Sequence, residues 1–165
     1  MMVTADWDTY RRAAWLDMRR QVHRDGSLPL LFEYTEESPR QSEAWLIALH
    51  ADGPAQRLSV YRWDMRKAQE DIATVGLTCR EPQVRGWQRP LSATEAETLA
   101  GLCAGVRAHP TIRPGIVLDG MTCELILQEA DPVLQLRWNA FLANAGLERL
   151  VEWLEVVRLR RFLRG

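Results

Sequence analysis

Apolar residues recur along this chain with two periods, and the places where the period changes mark the elements. Trp7, Tyr10, Ala14, Met18 and Val22 fall at helical spacing, with Thr4 or Asp6 as cap and Gly26 as stop. They predict a first helix whose other face carries Arg11, Arg12, Arg19 and Arg20. The runs LPLLFEY, AWLIALH and RLSVYRW predict three strands, and Pro54 just after Gly53 argues for a longer loop between the last two rather than a tight turn. Met65, Ala68, Ile72 and Val75 then predict a short amphipathic helix ending at Gly76. From Cys79 to Pro90 no period survives, and the stretch reads as irregular loop. Order returns with Ser92 and Glu95, spaced as a capping box, and with Leu91 placed to staple onto Ala96. Leu99, Leu102, Cys103 and Val106 line one face of that helix until Pro110 ends it.

Residues 115–138, GIVLDGMTCELILQEADPVLQLRW, switch to alternation. Asp119 and Gly120 suit a two-residue type I′ turn, which needs positive φ at both central positions. Counting outward sets Ile116 opposite Cys123 and Leu118 opposite Met121. The same register through the second connection sets Cys123 opposite Trp138, Leu125 opposite Leu136 and Leu127 opposite Leu134. Because a slip of one residue turns every apolar side chain to water, the agreement predicts a C-terminal three-stranded antiparallel meander. Glu124 and Arg137 then face each other on the polar side, a cross-strand pair contributing roughly 0.2–1 kcal/mol. Cys123 and Glu124 point to opposite faces, which argues against a shared catalytic pocket. A final helix from Gly146 presents Leu147, Leu150, Val151, Leu154 and Val157, with Trp153 and Val156 widening the stripe. The expected fold is α+β, one globular domain over residues 1–165, with amphipathic helices packed on an antiparallel sheet.

Composition narrows the function. The 165 residues carry a net charge of −1, which supplies no overall electrostatic footprint for nucleic acid or an anionic membrane. No secretory pattern opens the sequence and no run of apolar residues is long enough to span a bilayer, so a cytoplasmic location is expected. Cys79, Cys103 and Cys123 are widely spaced and lack histidine partners, and His23, His50 and His109 lie far apart, so neither a disulfide framework nor a metal or cofactor site is expected. No GxSxG elbow, glycine-rich phosphate loop or HExxH helix occurs, so catalysis is not the expected role.

Two features exceed what a core requires. Seven tryptophans are present, and Trp7, Trp45, Trp138 and Trp153 fit core stripes, whereas Trp87 lies in the irregular stretch with Arg80, Arg85 and Arg89. Exposed Trp and Arg are the residue types enriched in binding hot spots, so these four are the candidate partner-binding residues. The competing reading makes Trp87 a lid on the edge of the core. Arg158, Arg160, Arg161 and Arg164 close the chain; they either complement the last helix's C-terminal dipole or meet an acidic partner.

The LDG hairpin, the strand ending in Arg137 and Trp138, and the closing Trp-bearing amphipathic helix resemble the small α+β immunity proteins encoded beside polymorphic and contact-dependent bacterial toxins. The resemblance covers mainly residues 115–157, and no binding residue carries over with it. It implies a cytoplasmic protein that binds one cognate toxin or effector tightly and blocks its active site without chemistry of its own. A small enzyme with an unrecognised pocket and an RNA-binding module are the alternatives; the first needs convergent polar groups in a pocket, the second a one-sided basic face with aromatics.

With no cysteine or histidine spacing that supports a centre, elemental analysis of the purified protein should find no stoichiometric zinc or iron, and Cys79, Cys103 and Cys123 should all react with a thiol reagent after denaturation without reductant. One equivalent of bound metal, or a missing thiol, would overturn that reading.

Overall fold

The run from Ala44 to Leu49 is apolar at every position, so a strand built from it must find cover on both of its sides. The computed structural model describes residues 4–24, 28–38, 42–75, 82–108, 121–128, 133–139 and 145–162. In it the run forms the middle of β2 (Glu43–Asp52), buried from Ala44 to His50. β1 (Leu30–Ser38) and β3 (Ala55–Asp64) flank β2; β4 (Val84–Pro90) lies beyond β3, while β5 (Thr122–Leu127) and β6 (Leu134–Asn139) lie beyond β1. The result is a 6-stranded sheet in the order β4-β3-β2-β1-β5-β6, with every neighbouring pair antiparallel. Helices α1 (Thr4–His23), α2 (Met65–Val75), α3 (Ala93–Ala108) and α4 (Ala145–Phe162) complete the described elements. The fold is α+β, as the periodicities predict.

The helices divide between the two faces. On the first face, Leu99 and Val106 of α3 and Leu147, Leu150, Leu154 and Val157 of α4 pack on Tyr34, Trp45, Ile47, Val60, Leu125 and Trp138. On the second, Ala14, Met18 and Val22 of α1 and Met65 and Ala68 of α2 pack on Ala44, Leu46, Ala48, Tyr61 and Trp63. Each fully buried large side chain contributes about 1.5–3 kcal/mol, so both layers are needed to hold a sheet whose central strand is apolar on each side. None of the described helices is long and apolar enough to cross a membrane.

Local chemistry sets the ends. Ser92 and Glu95 form the expected capping box: the Ser92 amide donates to Glu95 Oε2 at 3.0 Å and the Glu95 amide to Ser92 Oγ at 3.3 Å. Asp64 caps α2 by accepting from the Lys67 amide at 2.9 Å. Between β2 and β3, however, Asp52 pairs directly with Ala55, leaving a two-residue turn of Gly53 and Pro54. Gly53 has φ of 60°, the sign a II′-type hairpin needs at its first central position, and the fixed φ of Pro54 suits the second. The longer loop expected from Pro54 is thereby corrected.

The second hairpin is paired as expected, with Cys123 opposite Trp138, Leu125 opposite Leu136 and Leu127 opposite Leu134. Residues 115–120, with the Asp119–Gly120 turn, lie outside the described residues. The position beside Cys123 expected for Ile116 is held by Glu36 of β1. Glu124 faces Arg137 in register, yet its carboxylate accepts from Gln135 Nε2 at 2.8 Å and meets Arg19 at 3.5 Å instead. Val156, expected to widen the apolar stripe of α4, is 44% exposed.

The stretch expected to be irregular loop is in its second half a regular edge strand, β4, in which Gly86 lies opposite Tyr61. A Cβ at Gly86 would sit 2.5 Å from Tyr61 Cε1; the bare glycine lets the ring lie across the edge strand, where the Tyr61 hydroxyl accepts from Gln88 Nε2 at 3.0 Å. Gly86→Ala should therefore lower unfolding free energy by about 1–3 kcal/mol, the usual cost of overpacking, measured by urea denaturation. A loss within about 0.5 kcal/mol, the range of an innocuous surface change, would show that Tyr61 is free to move aside.

Candidate functional site

Polar side chains gather in the first core and, among other places in the described residues, in an open groove on the second face.

The interior place starts from β1. Phe32, Tyr34 and Glu36 share the first face, so the alternation that buries the two aromatics carries a carboxylate in with them; Glu36 is 4% exposed. Arg158 of α4 reaches it, Nη1 to Oε1, at 2.9 Å. The Tyr34 hydroxyl donates to Glu36 Oε2 at 2.9 Å and lies 3.6 Å from the Cys123 sulfur. Trp45 carries the guanidiniums of Arg158 and Arg62 over its ring at 5.2 and 5.7 Å, and Arg62 is itself paired with Glu43. Burial pushes the Cys123 thiol up to about 12, so the sulfur is protonated at neutral pH. Burial likewise raises the Tyr34 hydroxyl, reinforced by Cys123 and the nearby Glu36 charge. The cleft bordering this cluster has no room for a water-sized molecule. Its chemistry is that of a satisfied interior ion pair rather than of an activated nucleophile. Among the described residues, no three His, Cys, Asp or Glu side chains come together in a way that could hold a metal ion.

The groove, of about 460 Å³, opens on the opposite side of the sheet. α1 forms its wall with Arg11, Arg12, Trp15, Leu16 and Arg19; Thr35, Glu37, Thr122 and Glu124 form the floor, and Arg137 of β6 the far side. One end is held by short contacts. Arg11 binds Glu37 at 2.6 Å, and the Trp15 indole donates to the same carboxylate at 3.0 Å. Its own hydrogen bond to Glu37 raises the Arg11 guanidinium above its ordinary pKa. The other end is held by longer ones. Arg19, with 45% of its side chain exposed, is shared between Glu33 at 3.3 Å and Glu124 at 3.5 Å, and Leu16 is 55% exposed. Among the described residues, Arg12 and Arg137 make no ion pair and are exposed.

The sequence-predicted residues fall elsewhere. Arg80 lies outside the described residues. Arg85, Trp87 and Arg89 share one face of β4, a strand and not the expected loop. Trp87 is half-buried against the first core, opposite Val60, where it closes the sheet edge. Arg89 is bound by two hydrogen bonds to Glu95, at 2.9 and 2.7 Å. That pairing, with the Ser92 hydrogen bonds, holds the Glu95 carboxyl down at about 2. Arg85 alone of the three is exposed and makes no ion pair among the described residues. Arg158, read from sequence as complementing the helix terminus or meeting an acidic partner, pairs within the chain with Glu36. Leu16 was missed. Its signal was present: an apolar residue outside the stripe of Ala14, Met18 and Val22, set four after Arg12 and three before Arg19.

Comparison of the chain with protein-family models, with curated proteins and with solved structures finds no match.

Arg158→Ala should destabilise the protein by about 3–5 kcal/mol, because it strands the Glu36 carboxylate inside the first core. Combining it with Glu36→Gln should recover a large part of that loss in a double-mutant cycle. Equal losses in the single and double variants would show that packing against Trp45, not charge pairing, is what Arg158 supplies.

Proposed function

We propose that this chain is a non-catalytic binding protein that holds a protein partner against the groove between α1 and β1, β5 and β6. In line with the resemblance of residues 115–157 to immunity proteins, the partner is a cognate bacterial toxin or effector acting in the cytosol. One observation carries the reading: Leu16, 55% exposed, stands between Arg12 and Arg19 on the wall of an open groove. An aliphatic side chain left in water beside arginines and a half-buried tryptophan has the composition of an interface centre and its rim. The floor carboxylates Glu37 and Glu124 disfavour a polyanion such as RNA. The buried, protonated Cys123 offers no nucleophile for a covalent mechanism.

The product of the gene encoded beside this one is the partner to test. Nanomolar association, about −12 kcal/mol, and rescue of growth when the two are co-expressed are the expected results. Leu16→Asp should weaken that association by more than about 2 kcal/mol, the scale of a hot spot, without moving the thermal melt. Arg85→Ala on β4 serves as the comparison, and a loss confined to Arg85→Ala would move the interface to the β4 edge. Absence of any complex would remove the reading.

A further inference from the structure

We infer that the groove recognises a carboxylate-bearing segment of its partner, one with acidic side chains on either side of an apolar one. The inference rests on the binding role proposed above and names the chemistry of the contact. It comes from sorting the arginines by how tightly each is already held. Arg11 donates from Nη2 to Glu37 Oε2 at 2.8 Å, the length of a full charge-assisted hydrogen bond, and its position is spent on closing α1 onto β1. Arg19 divides longer contacts of 3.3 and 3.5 Å between two carboxylates and stays half exposed. A guanidinium has five N–H donors, so Arg19 retains several for an incoming group. Arg12 and Arg137, exposed and making no ion pair among the described residues, stand on opposite sides of the same groove.

Charge and shape together select the ligand class. Arg11, Arg12, Arg19 and Arg137 line the groove against Glu37 and Glu124, an excess of positive charge in a molecule whose net charge is −1. A planar guanidinium matches a carboxylate with two parallel hydrogen bonds. Between the cationic positions lie Leu16 and the Trp15 ring, an apolar surface with which a uniformly charged polymer has nothing to exchange. The two floor carboxylates would repel closely spaced phosphates. Discrete acidic side chains separated by an apolar one fit both the cations and the surface between them.

A short blocked peptide alternating glutamate and leucine is the probe, with the glutamine-for-glutamate peptide as its neutral counterpart, titrated by calorimetry into the intact protein at low salt. The acidic peptide should bind with a dissociation constant of about 0.1–1 mM, and the neutral one about tenfold more weakly. The double variant Arg12→Ala with Arg137→Ala should lose about tenfold for the acidic peptide with an unchanged melting temperature, while Arg85→Ala should bind as the parent. Equal binding of the two peptides, no binding of either, or an undiminished double variant would overturn the inference. So would preference for an oligonucleotide over the acidic peptide. The same double variant separates this inference from the binding role. If the neighbouring gene's product binds it undiminished, the acidic-segment inference fails and the binding role stands. If the acidic peptide binds in the groove while that product does not bind at all, the assignment of the neighbouring gene's product as partner fails and the groove's preference for acidic segments stands.

Discussion

The architecture depends on β2 being apolar on both sides. A strand with Trp45, Ile47 and Leu49 on one face and Ala44, Leu46 and Ala48 on the other cannot stand in a two-layer fold, because one of those rows would meet water. The two rows also differ in size. Large side chains on the first face fill the space under α3 and α4, while the alanines on the second let α1 approach the sheet closely. β5 shows the opposite pattern: Cys123, Leu125 and Leu127 are buried, and the residues between them only half so. The sheet therefore needs cover on both faces at β2 and β3 but on one face only at β5 and β6. α1 packs where cover is needed. The groove lies along the line where the need stops, with Thr35 and Glu37 of β1 at the boundary.

A second constraint is electrostatic. Burying Glu36 without a partner would cost several kcal/mol, so its place in the first core requires a cation from the helical layer. Arg158 supplies one, 122 residues away in sequence. The pair is directional where the surrounding apolar contacts are not, and it fixes how far along β1 the last turns of α4 can sit. Arginine suits the role better than lysine: the guanidinium bonds to the carboxylate while lying over the Trp45 ring. The neighbouring Tyr34 hydroxyl uses the second carboxylate oxygen, so both oxygens of Glu36 have partners in the apolar interior.

Elements specified by local chemistry were legible in the sequence, and those specified by distant partners were not. The capping box at Ser92 and Glu95, the stripe of Ala14, Met18 and Val22, and the register of β5 against β6 each depend on residues close in the chain. β4 does not. Its inward row is Arg85, Trp87 and Arg89 and its other row Val84, Gly86, Gln88 and Pro90, so it shows no alternation of apolar and polar side chains. It is a strand because β3 offers an edge to pair with and Tyr61 offers a ring to cover Gly86. Arg158 likewise stood in a basic run that suited a helix terminus, and nothing local announced a carboxylate on β1. That Glu36 takes the place expected for Ile116 beside Cys123 has the same origin: alternation specifies which face a residue occupies, not which strand comes alongside.

The groove's residues split by whether the fold uses them. Ala14, Met18 and Val22 bury one side of α1 against the sheet; Arg11 and Trp15, at the margin of the same stripe, clamp it to Glu37. Arg12, Leu16 and Arg19 come next around the helix, at spacings of four and three; Arg19 still reaches Glu33 and Glu124, while Arg12 and Leu16 stand exposed. Leu16 in that outer row leaves 55% of its surface in water. That exposure sets Leu16 apart from the buried stripe of the same helix, and the proposed binding role draws on that contrast.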